Sequence, residues 1–65
     1  MEHYRLHFLD HRNRIVSVLS FHAADDDNAI DYGSSFVDGR DIEIYQRARL
    51  IMRLPAFYDE RQKRA

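Results

Sequence analysis

Four histidines in 65 residues are the first side chains that could carry chemistry, since imidazole binds divalent metals. His3 and His7 have the i, i+4 spacing that on a helix would bring both rings to one ion. The segment around them alternates apolar and polar residues, which predicts a strand. At about 3.3 Å per residue the two rings then stand roughly 13 Å apart. We therefore predict no metal site and interpret the histidines as strand and loop residues.

A run of acids is the second candidate. Asp25, Asp26 and Asp27 could begin a calcium-binding loop, which needs a glycine at its sixth position and a glutamate at its twelfth. Counted from Asp25, these positions hold Ile30 and Phe36. The calcium pattern fails, and the run is better explained as the start of a helix, where a carboxylate caps free N–H groups.

The sequence contains no arrangement of residues typical of catalysis. Ser34 and Ser35 lack the glycine-flanked elbow of a nucleophilic serine, and there is no cysteine. Two glycines are too few for a phosphate-binding loop. We predict that the chain is not an enzyme, has no catalytic residue and uses no cofactor.

Charge is unevenly distributed, although the formal net charge is −1. Residues 1–38 carry seven acids and three arginines, whereas residues 39–65 carry seven basic residues and four acids. This asymmetry fits an anionic partner for the second half, or attraction between the halves within one chain or between two. Because no signal-like run and no stretch of about 18 apolar residues occurs, we expect a soluble, cytoplasmic protein without membrane contact.

Periodicity predicts two strands in the N-terminal part. Residues 4–9 alternate, with Tyr4, Leu6 and Phe8 toward a core, and residues 15–21 form the second strand after a five-residue loop. In the second strand apolar residues occupy both phases. This indicates either burial on both faces or a bulge that shifts the phase.

A helix of about 12 residues follows the acidic run, with apolar residues at three- and four-residue spacing. Gly39 stands where a helix-ending residue with positive φ belongs. Gly33 in the middle of the helix predicts a close approach of helix to sheet. We expect Ile30 and Phe36 to be buried, together with Phe8 and Ile44 on the strands.

Two further strands are predicted over residues 41–45 and 49–54, and Pro55 ends the second. In the last strand Leu50, Met52 and Leu54 would face the core. Since residues 47–54 are also good helix formers, a terminal helix is an alternative. The prediction is an α+β fold in the order ββαββ, a small antiparallel sheet of three to four strands with one helix packed on one face. It forms a single domain over residues 1–55, followed by a polar, basic tail at 56–65.

Three motifs carry a resemblance to a known family. They are Tyr4-Arg5-Leu6-His7-Phe8-Leu9-Asp10, Ala24-Asp25-Asp26, and Asp38-Gly39-Arg40 with Ile42-Glu43-Ile44-Tyr45. Over residues 4–54 the chain resembles a family of very short bacterial proteins known only as a domain of unknown function. The resemblance supports the strand interpretation of the C-terminal segment and implies no activity.

The sheet face opposite the helix is the predicted interaction face. Its candidate residues are Arg5, His7, Tyr45, Arg49, Ile51 and Arg53. A mixture of aliphatic, aromatic and basic side chains is typical of protein–protein surfaces, and burying it would support the marginal core of so short a chain. We therefore predict a non-enzymatic interaction module that self-associates, as a homodimer, or binds another protein. The alternative is a small RNA- or DNA-binding regulator that uses the basic sheet face and the C-terminal tail.

Overall fold

The computed structural model describes residues 1–56 of the chain. The elements are β1 (Glu2–Leu9), β2 (Ile15–Ala23), α1 (Asp26–Ser34), β3 (Asp41–Gln46) and β4 (Arg49–Leu54). The strands form one antiparallel sheet in the order β2-β1-β3-β4, and α1 packs on one face of it. The predicted ββαββ fold is confirmed, with β4 a strand and not a helix. The predicted tail lies, apart from Ala56, outside the described residues.

The core lies between α1 and the sheet face that the helix covers. Every second residue of the two central strands points into it, as the alternation predicts. The large side chains with less than 2% exposure are Tyr4, Leu6, Ile42, Ile44 and Leu54. The helix contributes Ala29 and Ile30.

Three of the four residues predicted to be buried are buried: Phe8, Ile30 and Ile44. Phe36 is only half-buried, because it lies beyond the end of α1. Its ring packs edge-on against Phe8 at a centroid distance of 6.3 Å. It therefore borders the core and does not fill it.

The helix begins as predicted and ends earlier. Asp25 is the N-cap, and its Oδ1 accepts the Asn28 N–H at 2.9 Å. The helix ends at Ser34, where the hydroxyls of Ser34 and Ser35 bond to backbone carbonyls of the preceding turn. Such bonds compete with helix continuation. Gly39 has a φ of 99° but lies in the bend before β3, so its predicted role as the helix terminator is wrong.

Two bulges interrupt the sheet, one in each hairpin. Phe8 pairs with Ser17 but Leu9 pairs with Ile15, which leaves Val16 as an extra residue in β2. Of the two interpretations of β2, the bulge is therefore the correct one. Burial on both faces does not occur, because Val16 and its apolar neighbours are about half exposed.

The second bulge is at Ile51. Ile44 pairs with Met52, whereas Tyr45 pairs with Leu50. Because of this extra residue, Arg49 and Leu50, which precede it in β4, lie on the opposite faces of the sheet from those that regular alternation would give them. Leu50 therefore lies opposite Tyr45 on the uncovered side and is 49% exposed, so its predicted position in the core is wrong.

Candidate functional site

No helix or strand within residues 1–56 covers the sheet face opposite α1, which we call the open face. β1 and β3 lie at the centre of the sheet, so their outward residues form the middle of this face. These residues are Arg5, His7, Glu43 and Tyr45. The outer strands add Val18 from β2 and Leu50 and Arg53 from β4.

An aromatic pair lies at the centre of the open face. The rings of His7 and Tyr45 have centroids 4.6 Å apart. The Tyr45 hydroxyl donates to Glu43 Oε1 at 3.2 Å, and burial together with this carboxylate raises the pKa of Tyr45. His7 Nδ1 is buried and has no hydrogen-bond partner among the described residues. The two partly exposed rings therefore form a packed patch at the centre of the open face.

Arg53 is held by three acceptors on neighbouring elements. It donates to Glu43 at 2.8 Å, to Asp41 at 2.7 Å and to the side-chain oxygen of Asn13 at 2.6 Å. The bond from Arg53, with the Ala56 N–H, lowers the pKa of Asp41. Its charge is therefore compensated within the fold, although nothing in the spacing of these residues indicates the cluster.

Arg49 does not belong to the open face, and the prediction that placed it there is wrong. The bulge at Ile51 turns Arg49 to the helix side. There it forms a two-pronged ion pair with Asp26, which also accepts the Tyr4 hydroxyl at 3.0 Å. Bonds from Arg49 and Tyr4 lower the pKa of Asp26. Arg49 thus fastens β4 to the first turn of α1.

Of the remaining predicted residues, Arg5 lies on the open face, whereas Ile51, the extra residue of the bulge, contacts the core. Arg5 lies opposite Tyr45 and donates to the Arg47 carbonyl at 3.0 Å. Ile51 is half-buried and packs against the core cluster. The face also carries Val18 and Leu50, which are 52% and 49% exposed. Apolar residues in both phases of β2 were the available signal for Val18, whereas Leu50 gave none.

Within residues 1–56 the histidines and acids form no group that could hold a metal ion. His3 and His22 face each other across β1 and β2, with ring centroids 5.1 Å apart. No group of three or more potential ligands occurs in the part of the chain that the structure describes. The carboxylates near the helix start have structural partners, since Asp25 caps the helix and Asp26 bonds to Arg49.

Comparison with known proteins adds no assignment. No helix within the described range is long and apolar enough to cross a membrane. No family model matches the chain, and no curated protein or solved structure matches it. The resemblance to the short bacterial family stays a prediction, and the case for a function rests on the sheet.

Proposed function

We propose that this chain is a non-enzymatic interaction module that self-associates through its sheet. The observation that supports this is the set of large apolar side chains left about half exposed on the outer strand β2. They are Ile15, Val16 and Val18. Removing apolar surface from water is favourable by roughly 25 cal/mol per Å². A second copy offers the same apolar side chains in return.

A domain of this length has a marginal core. Association would stabilise the folded state by mass action.

The pairing of the arginines favours a protein partner over a nucleic acid. Arg49 and Arg53 already bond to carboxylates of the same chain. A phosphate group would have to displace these ion pairs before it gained a contact. Binding of RNA or DNA through Arg5 and the C-terminal tail is therefore an outcome of the test and not a second proposal.

The test is the mass of the chain in solution, measured by sedimentation over a wide concentration range at low and high salt. We expect the mass of two chains, retained at high salt because the contact is largely apolar. A single-chain mass at the highest concentration contradicts the proposal. Binding of single-stranded RNA that weakens steeply with added salt would instead support the regulator.

A further inference from the structure

We infer that two copies pair β2 with β2, antiparallel about a two-fold axis at Ser20, so that two four-stranded sheets become one of eight strands. This inference rests on the proposed self-association and specifies the contact. β2 is an outer strand with β1 on one side only. Its other edge therefore presents backbone N–H and C=O groups that a further strand could bond.

The two edges of the sheet differ in how they resist strand addition. β4 has six residues, contains Arg49 and Arg53, is bulged at Ile51 and is followed by Pro55. Charges, bulges and proline are the usual means of blocking an edge. β2 is also bulged, at Val16, but its nine residues include neither a charged residue nor a proline, and the seven from Ser17 to Ala23 are regular. The unprotected edge is therefore β2.

The regular part of β2 sets the register of the pairing. Ser17–Ala23 pair with β1 without a shift, and Ser20 is the midpoint of this segment. An axis at Ser20 places Leu19 opposite Phe21 of the second copy on the helix side. Leu19 is half-buried in one copy. Its contact with Phe21 of the second copy would extend the apolar core across the line where the two β2 strands pair, which we call the β2 seam. Each copy supplies both members of the pair, as a two-fold interface requires.

Charge complementarity indicates that the strand that pairs with β2 is the β2 of a second copy, in antiparallel orientation. Arg12 and Arg14 precede β2, whereas Asp25 and Asp27 follow it, and all four are exposed. Antiparallel pairing about Ser20 brings the basic end of each β2 beside the acidic end of the other. Parallel pairing would bring like charges together. A strand from an unrelated protein would have no reason to carry acidic and basic residues at the matching ends.

A lysine at the two-fold axis tests the seam. Ser20→Lys places two ammonium groups face to face, and like charges directly opposite each other are destabilising. Leu50→Lys is the matched control, since it adds the same charge to an exposed open-face position on the opposite edge strand. We expect sedimentation of Ser20→Lys to give the mass of one chain and Leu50→Lys to keep that of two. Circular dichroism establishes that both variants are folded.

A cysteine at the two-fold axis tests the same pairing by disulfide crosslinking, which detects the dimer without disrupting it. Facing residues in an antiparallel pair have Cα atoms about 4.5–5.5 Å apart, within the range that a disulfide spans. The chain has no cysteine, so Ser20→Cys introduces the only thiol. We expect Ser20→Cys to crosslink into covalent dimers on mild oxidation much faster than Leu50→Cys. This experiment decides the matter if Ser20→Lys does not fold.

The outcomes separate the two proposals. A dimeric parent in which Ser20→Cys crosslinks no faster than Leu50→Cys overturns the β2 seam and leaves self-association standing through another contact. A parent that has the mass of one chain at every concentration overturns both. Loss of the dimer in both lysine variants places the contact on the open face and also overturns the seam.

Discussion

Gly33→Ala tests the contact on which the packing of helix against sheet depends. Gly33 is buried in α1 above two side chains with no exposed surface. A Cβ at this position would lie 2.8 Å from Ile44 Cδ1 and 3.1 Å from Leu6 Cδ2. The first distance is far shorter than van der Waals contact, so the helix or Ile44 must move.

Two opposing effects set the expected magnitude. Alanine in a helix interior is favoured over glycine by about 1 kcal/mol. Adding a methyl group to a packed core costs about 1–3 kcal/mol. Since Ile44 is fully enclosed, we expect the packing cost to exceed the gain, with a net loss of about 1 kcal/mol in the free energy of unfolding.

A double-mutant cycle with Ile44→Val isolates the clash. Valine lacks the Cδ1 atom, and Ile44→Val alone should cost about 0.5–1.5 kcal/mol. In the Val background Gly33→Ala should be neutral or stabilising, which gives a favourable coupling of about 1 kcal/mol. Urea unfolding measures each variant, and a change of this size corresponds to roughly 4–8 °C in Tm for a domain this small.

The refuting result is additivity. If Gly33→Ala raised the free energy of unfolding by the same amount in both backgrounds, helix propensity alone would account for it. The helix would then stand further from β3 than the 2.8 Å contact requires.

Three further predictions have defined outcomes in the same unfolding assay. Asp25→Ala should lower the free energy of unfolding by about 1 kcal/mol, because the Asp25 side chain accepts the cap hydrogen bond. Asp27→Ala should lower it by clearly less. Equal losses in the two variants would contradict the assignment of the cap to Asp25. Arg47→Gly should raise the free energy of unfolding by about 1 kcal/mol, because Arg47 has a φ of 57°, a conformation that is strained for a residue with a side chain and unstrained for glycine. A lower free energy of unfolding would mean that the turn needs the arginine side chain. The pKa of Asp26 is lowered in the folded state, so its stabilisation is present above pH about 4 and is lost as the pH falls through the folded pKa. Asp26→Asn should therefore be less stable than the parent at neutral pH and lose less stability on acidification, and parallel pH profiles would contradict this.

Much of the fold follows from local pattern in the sequence. The alternation in β1 placed Tyr4, Leu6 and Phe8 in the core, where the structure has them. The acidic run predicted a carboxylate cap, which the structure assigns to Asp25, because the side chain and the N–H it accepts lie within one turn. Each of these features involves partners close in sequence or a period that a single segment contains.

The candidate surface could be predicted only in part, because a bulge is decided by the pairing of two strands. β4 alone alternates regularly from residue 49 to 54, and nothing in it marks Ile51 as the extra residue. Only its register against β3 shows that Arg49 faces the helix and Leu50 the open side.

The charge on the surface was likewise decided by tertiary structure. The sequence by itself determined the first three strands and the start of the helix, whereas the strand at residues 49–54 was decided against its helical alternative only by the structure. The sequence could not determine which arginines are compensated, because Arg49 pairs with Asp26 of α1 and Arg53 pairs with Asp41 and Glu43 of β3. These ion pairs form only when β4 is placed beside β3 and the start of α1. The local periodicity of one segment carries no information about which segments become neighbours in the sheet. Which surface is charged and which is apolar is therefore decided by the tertiary structure.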